Sequence, residues 1–238
     1  RRSAGPWDWD AVGERSGGSL RGAAVAPAPS PLPRRPHLWL RPLPAEGPLL
    51  LSGQEQRWGA GLPETLQSRY RQSRSQLRQR LAELLQRPPL ELPLHSPPGE
   101  PASLAEGWGH VSLSHSGTQL LLAWSPWPIG VDLEWAARPL LAAAVARRFF
   151  PAAEWQQLQA LPAEALRDAV LQSWVRKEAA IKWQRGSIAQ DLRHWLWDGN
   201  GNALRHLQHG WMPRCCLRLH DGWCCAVVGE AADQGHWA

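Results

Sequence analysis

Ile129-Gly130-Val131-Asp132-Leu133-Glu134 is the stretch of this sequence that decides both the fold and the chemistry. Its alternation of residue types is typical of a β-strand. Side chains at positions i and i+2 of a strand point to the same face, so Asp132 and Glu134 project together. Two adjacent carboxylates repel each other unless a cation lies between them, and hard oxygen ligands suit Mg²⁺. The strand therefore indicates a metal site, with a pair of solvated surface acids as the alternative.

A second charged group lies downstream, in the helix-like stretch Trp174–Lys182. The chain has 26 Lys and Arg residues, and of these only Lys177 and Lys182 are lysines. A compact ammonium fits a crowded phosphate site better than a broad guanidinium does. Glu178 and Lys182 are i,i+4 neighbours, so an ordinary surface pair is the alternative. We expect Glu178 to complete the metal site with the two strand acids, and both lysines to hold phosphate oxygens.

A third group, Val111–Gly117, has the sequence V-S-L-S-H-S-G at the tip of an expected β-hairpin. Serine hydroxyls, an imidazole and turn N–H groups together suit an anion. A nucleophilic serine is a weaker interpretation, because the stretch does not match G-x-S-x-G and no strand-to-helix elbow follows it.

The order of patterns predicts an α+β fold of two pseudo-symmetric halves, each a small antiparallel sheet packed with helices. We expect residues 37–126 to form the N-terminal half and residues 127–238 the C-terminal half, which carries the metal site. Residues 1–36 lack sustained periodicity and are expected to be a disordered extension. The main expected helices and strands are helices at 65–87, 140–150 and 163–183, and strands at 37–40, 110–114, 119–124, 129–134, 195–197, 215–219 and 223–228.

Composition narrows the class of protein. The chain of 238 residues has a net charge of +5, which favours acidic partners. No run of eighteen apolar residues is present, so no membrane span is expected. The four cysteines form two adjacent pairs on expected strands, where core packing is the favoured interpretation and metal or redox use the alternative. A cytoplasmic location fits this pattern.

The three groups together resemble the two-domain 4'-phosphopantetheinyl transferases, the surfactin-synthetase-activating type. The motifs that carry the resemblance occur in the family's order, at Ser112–Gly117, Pro128–Glu134, Arg147–Glu154 and Trp174–Lys182. The resemblance extends from about His37 to Val228. It implies transfer of phosphopantetheine from coenzyme A to a serine of an apo acyl or peptidyl carrier protein, with release of 3',5'-ADP. Such enzymes serve fatty acid, polyketide or nonribosomal peptide synthesis.

The resemblance also implies residue roles. Asp132, Glu134 and Glu178 would bind Mg²⁺, and Lys177 and Lys182 would contact the pyrophosphate of coenzyme A. The nucleotide end would be held by Arg74, Ser114 and His115. Asp132, Glu178 and Lys182 would be the catalytic group, with Glu178 as the candidate proton acceptor. Glu154 matches an acidic position that assists in the family.

The sequence departs from the family at Glu100, where a lysine that helps to bind phosphate is often found. A catalytically impaired coenzyme A-binding relative therefore stays an alternative. So does a basic nucleic-acid-binding protein, because the chain has 16 tryptophans. We expect a monomer that acts on an acidic carrier protein and uses neither nucleic acid nor a membrane.

Overall fold

The computed structural model describes residues 27–44, 46–199 and 202–238, so most of the expected disordered extension lies outside the described residues. The described part contains six α-helices and eleven strands. The helices are α1 (Gly53–Ala60), α2 (Glu64–Leu85), α3 (Ala142–Phe149), α4 (Ala152–Leu158), α5 (Ala163–Gln184) and α6 (Ile188–Asp191). The strands are β1 (His37–Pro42), β2 (Leu94–His95), β3 (Ser103–Leu104), β4 (His110–Ser116), β5 (Gln119–Ser125), β6 (Ile129–Trp135), β7 (Trp195–Asp198), β8 (Ala203–His206), β9 (Cys215–His220), β10 (Trp223–Gly229) and β11 (His236–Trp237).

The first sheet has the strand order β11-β1-β5-β4. β1, β5 and β4 pair antiparallel, while β11 joins β1 in parallel. Successive side chains of β5 point to opposite faces of the sheet. Leu120, Leu122 and Trp124 pack in one core with Leu77 and Leu81 of α2. The long helix therefore covers one face of this sheet.

The second sheet has the order β6-β10-β9, antiparallel throughout. One face of β10 packs against α5 through Cys224, Ala226 and Val228, which share a core with Val175 and Ala179. Both sheets are thus small, largely antiparallel and covered by a 22-residue helix. The α+β prediction is confirmed, whereas the boundary between residues 126 and 127 stays a prediction.

A third core joins the two sheets, which with their covering helices are called the first and second halves below. Leu121 and Ala123 of the first sheet pack there with Val131 and Leu133 of the second, on the faces that turn away from the long helices. β4 and β6 are edge strands of their sheets and lie beside each other, joined where the backbone N–H of Val131 donates to Ser112 Oγ at 3.1 Å. The acidic strand therefore lies in the seam between the halves.

Helix boundaries follow local chemistry. α1 begins with a capping box, because the Ser52 side chain accepts from the backbone N–H of Glu55 and the Glu55 carboxylate accepts from that of Ser52. α2 and α5 each end at a residue in the left-handed conformation, Gln86 and Arg185. The expected helices at 65–87 and 163–183 agree with α2 and α5 to within two residues. The short helix α1 was not expected, since its sequence lacks apolar periodicity.

α5 and β6 approach each other unusually closely at Gly130. A methyl group on Gly130 would overlap the carbonyl oxygen of Ala179 and the backbone nitrogen of Trp183. Only glycine allows the helix backbone to reach the strand here. The approach places the side chains of α5 directly over those of β6.

We expect Gly130→Ala to destabilise the fold, because the added methyl group must push the α5 backbone away from β6. The free energy of unfolding should fall by about 1–3 kcal/mol or more, as for other overpacked sites. Urea denaturation measures it. Gly61→Ala is the control, since the nearest atom to a Cβ there is 3.6 Å away and φ is −79°. Equal midpoints for the two variants would contradict this account of the packing.

Candidate active site

Serine hydroxyls from β4 bind both acids of β6. Ser114 Oγ donates to Asp132 Oδ1 at 2.6 Å, and Ser116 Oγ donates to Glu134 Oε2 at 2.7 Å. All four side chains are buried. Alternation along the two strands repeats this contact at a spacing of two residues, so the seam carries a ladder of hydroxyl-to-carboxylate bonds.

Lys182 reaches the seam from the last turn of α5. Its Nζ donates to Asp132 Oδ1 at 2.7 Å and to Ser114 Oγ at 2.8 Å, and the side chain is 28% exposed. The surface pair between Lys182 and Glu178, which was the alternative interpretation, is replaced by this bridge between the two halves. A partly exposed lysine thus bridges Ser114 of β4 and Asp132 of β6.

The Glu178 carboxylate of α5 lies near enough to Asp132, Glu134 and Lys182 for their charges to act on it. Asp132 Oδ2 is buried and has no hydrogen-bond partner among the described residues. Burial, together with the charges of Asp132 and Glu134, raises the pKa of Glu178 to about 8 against the opposing effect of Lys182. Acids that repel each other away from water and retain a free oxygen are the donor set that a hard divalent cation neutralises. The residues present therefore fit the Mg²⁺ that the family implies.

Glu134 differs from Asp132 in being held by an arginine. Its Oε1 pairs with Arg138 in the turn after β6. Burial raises the pKa of Glu134, while hydrogen bonding from Ser116 and the charge and hydrogen bond of Arg138 oppose that rise. Its carboxylate oxygens are already bonded to protein, so Glu134 is the most constrained of the three acids.

His115 and Arg74 lie toward the first half of the seam. Burial lowers the pKa of His115 to about 4, with the nearby Arg69 and Lys182 charges adding to the effect. Arg74 is buried, donates from Nε to the Ser96 carbonyl at 3.4 Å, and lies 4.8 Å from the centre of the Tyr70 ring. This neighbourhood is strongly positive and contains a neutral imidazole, which suits a phosphate group.

The expected pyrophosphate contact from Lys177 needs correction. Its side chain is fully buried, with Nζ 2.6 Å from Glu154 Oε2 and 3.4 Å from the centre of the Phe150 ring. Burial lowers the pKa of this lysine to about 8, against the stabilising charge of Glu154. The ammonium therefore lies inside the second half, paired with a carboxylate, and does not reach the seam.

The cysteines behave as core residues. All four are free, and burial raises the pKa of each thiol, to about 12 for Cys215 and Cys225 and to about 11 for Cys224. Raised thiol pKa values disfavour thiolate chemistry and metal ligation. The packing interpretation of the cysteine pairs agrees with this environment.

A separate cluster outside the seam consists of Asp191, His194 and His206, whose polar atoms lie within 4.8 Å of one another. His206 Nδ1 accepts from the backbone N–H groups of Gln208 and His209 at 3.3 and 3.2 Å. The proton of the neutral ring is then on Nε2, so neither nitrogen offers a free lone pair. This cluster is a hydrogen-bonded turn, and the seam remains the metal candidate.

Sequence reasoning missed two partners of the acids, Ser116 and Arg138. The signal for the first was present, since Ser112, Ser114 and Ser116 alternate along one strand in the same way as the acids of β6. Arg138 had no signal, because it lies beyond the strand and reaches back by a turn that local patterns do not specify.

Comparisons with known proteins match the segment of the chain that carries the acids. A family model described as "4'-phosphopantetheinyl transferase superfamily" matches residues 128–228, which include the acids of β6 and the whole of α5. The resemblance seen in the sequence is confirmed by this match.

Particular relatives are Bacillus enzymes. The chain is 41% identical over 83 residues to 4'-phosphopantetheinyl transferase psf-1 of Bacillus pumilus, covering 35% of each chain. It is 34% identical over 83 residues to 4'-phosphopantetheinyl transferase Sfp of Bacillus subtilis (strain 168), covering 35% of this chain and 36% of the relative. A further Bacillus subtilis 4'-phosphopantetheinyl transferase is 31% identical over 115 residues, which is 47% of this chain and 50% of the relative. The chain thus spans half or less of the length of these relatives.

In the described part of the chain, no helix is long and apolar enough to cross a bilayer. The longest helices, α2 and α5, have 22 residues each. Both carry charged side chains into the protein interior, including Arg78 and Lys177.

The lowered pKa of His115 predicts a pH dependence of stability. Between pH 6.5, the ordinary value, and about 4, the unfolded chain binds a proton at this position and the folded chain does not, so stability falls as the pH falls. From pH 7 to pH 5, wild type should lose on the order of 1 kcal/mol more than His115→Gln, after allowance for partial exposure. Urea denaturation at both pH values measures the difference, and an equal loss in both proteins would show that His115 titrates normally.

Proposed function

We propose that this protein is an Mg²⁺-dependent 4'-phosphopantetheinyl transferase that moves phosphopantetheine from coenzyme A to a serine of an apo carrier protein. The observation that carries the proposal is the proximity of Glu178 to Asp132, Glu134 and Lys182, with Lys182 paired to Asp132, within the segment that matches the family. The serine oxygen forms a bond to the β-phosphorus while the bond to the 3',5'-ADP oxygen breaks, and the serine proton is released.

Asp132, Glu134 and Glu178 would hold the Mg²⁺, which when bound neutralises charge on the pyrophosphate. Asp132 Oδ2 supports this assignment because it is buried and without a hydrogen-bond partner among the described residues. Ser114 and Ser116 each donate to one of the strand acids, which fixes the orientation of both carboxylates before substrate arrives.

Lys182 would bind the pyrophosphate oxygens. Its side chain is 28% exposed and is held at the seam by Asp132 and Ser114, so part of it is accessible to an anion. A fixed positive charge aimed at developing negative charge lowers the barrier to phosphoryl transfer. His115 and Arg74 would hold the 3'-phosphate end of the nucleotide, while the single hydroxyl hydrogen of Ser114 is already donated to Asp132.

The macromolecular partner would be an acidic apo acyl or peptidyl carrier protein. The net charge of +5 supports this choice, since opposite charge increases the rate of productive encounter. Neither a nucleic acid nor a membrane is part of the proposal, which is for a monomeric cytoplasmic enzyme.

Intact-mass spectrometry tests the function directly. The purified protein is incubated with coenzyme A, Mg²⁺ and a set of apo carrier proteins of different charge. We expect phosphopantetheine addition to at least one carrier, with loss of transfer in excess chelator and in Asp132→Asn. No addition to any carrier, with coenzyme A binding intact by calorimetry, would instead identify a coenzyme A-binding relative without catalysis.

Replacement of Lys182 by arginine tests the phosphate site. The wider guanidinium should displace phosphate oxygens, and a shift of about 1 Å costs on the order of a hundredfold in rate. We expect kcat/KM for coenzyme A to fall at least about tenfold, which is about 1.4 kcal/mol of transition-state stabilisation. Steady-state kinetics and a melting curve measure the variant.

Arg80→Lys is the control for this substitution, because Arg80 forms an ordinary i,i+3 pair with Glu83 on the surface of α2. It should leave both kinetics and melting temperature unchanged. Wild-type kinetics in Lys182→Arg would remove Lys182 from the phosphate site. A large loss of stability with normal specific activity would make it a structural residue.

A further inference from the structure

Glu154 and Lys177 form the buried ion pair of the second half. Glu154 is 1% exposed and Lys177 is fully buried, with 2.6 Å between Oε2 and Nζ. Glu154 Oε1 also accepts from Ser173 Oγ at 2.5 Å, and its Oε2 accepts from the backbone N–H of Trp197 at 3.1 Å. One carboxylate of α4 thus binds two successive turns of α5 and the strand β7.

The same turns of α5 carry residues of the proposed active site on a different face. Adjacent helix positions differ by about 100°, so Lys177 points away from the direction of Glu178. Glu178 and Lys182 differ by only about 40° and share the face over β6. The pair with Glu154 therefore lies on the side of the helix remote from the metal candidate.

Two constraints hold α5 from its two sides. The backbone at Ala179 and Trp183 rests on Gly130, where no side chain separates helix from strand. On another face of the helix, the Glu154 carboxylate accepts from Ser173 Oγ and forms an ion pair with Lys177 Nζ. Rotation or sliding of the helix would disturb both the ion pair and hydrogen bond of Glu154 and the backbone contact at Gly130.

We infer that Lys177 and Glu154 are positioning residues, which set the rotation and height of α5 so that Glu178 and Lys182 meet the acids of β6. The inference rests on the proposed function and assigns Lys177 no contact with coenzyme A. A misplacement of about 1 Å at the reacting atoms is costly in rate, so a buried pair remote from the substrate governs turnover through helix position.

The test compares Lys177→Met, Glu154→Gln and the double variant. Each single change leaves an uncompensated buried group, whereas the double variant contains neither charge. Its amide oxygen can accept from the Trp197 N–H, and its amide NH2 can donate to the Ser173 hydroxyl, which is free to rotate. We expect each single variant to lower kcat about tenfold and to raise the Mg²⁺ concentration for half-activation, and the double variant to recover most of both. Assays are run well below each melting temperature.

Other results would overturn the inference. If Lys177 bound phosphate itself, Glu154→Gln would bind coenzyme A like wild type, and the double variant would bind it as poorly as Lys177→Met. If the pair served stability alone, all three variants would melt earlier but keep wild-type kcat and Mg²⁺ dependence when folded. Where a single variant does not fold, Ser173→Ala, which removes one bond to Glu154 and no charge, takes its place and should give a smaller change in the same direction.

The matched control is the buried pair of the first half, where Arg78 Nε lies 2.6 Å from Glu55 Oε2. Glu55→Gln should lower the melting temperature and leave kcat and Mg²⁺ dependence unchanged. Calorimetric titration of each variant with coenzyme A in the presence of Mg²⁺ measures binding, which requires no turnover. If wild type transfers nothing, the proposed function fails, while calorimetry of the same variants still shows whether the pair governs the Mg²⁺-dependent site.

Discussion

The contact between the α5 backbone and Gly130 is the constraint on which the site depends. Because the strand has no side chain there, the helix axis comes close enough for Glu178 and Lys182 to reach the acids of β6. A larger residue would separate helix and strand, and both the core of the second half and the carboxylate cluster would open together. Packing and chemistry therefore share one requirement, which is glycine at the start of the acidic strand.

The acids themselves are costly to bury, and the first half of the molecule offsets that cost. Ser114 and Ser116 donate hydroxyl hydrogens to Asp132 and Glu134, while Ser112 accepts a backbone hydrogen from the strand that carries them. A buried carboxylate with a good donor is much less unfavourable than one without. The two halves are consequently joined by polar bonds at the site as well as by the apolar core behind it.

Much of this arrangement could be predicted from local sequence. Strand alternation was sufficient to place Asp132 and Glu134 on one face, and apolar periodicity located α2 and α5 to within two residues. Long-range partners could not be predicted in this way, because nothing in the sequence near Arg138 indicates that it turns back to Glu134. The short helix α1 was missed for another reason: its stability comes from a capping box and a buried pair with Arg78, not from an apolar stripe.

The rarity of lysine in this chain predicted one shared role for Lys177 and Lys182, but it could not predict which way each side chain points. Both occur in the same helix, and both were expected to hold one pyrophosphate. Five helical positions rotate the side chain by about 140°, so the two ammonium groups cannot converge on one small anion from a single straight helix. Lys182 shares its face with Glu178 and reaches the seam, while Lys177 is turned into the core, where Glu154 keeps its charge paired. Retention of lysine at both positions of an arginine-rich chain thus has two physical causes, an open anion site and a closed core that has room for an ammonium group over Phe150.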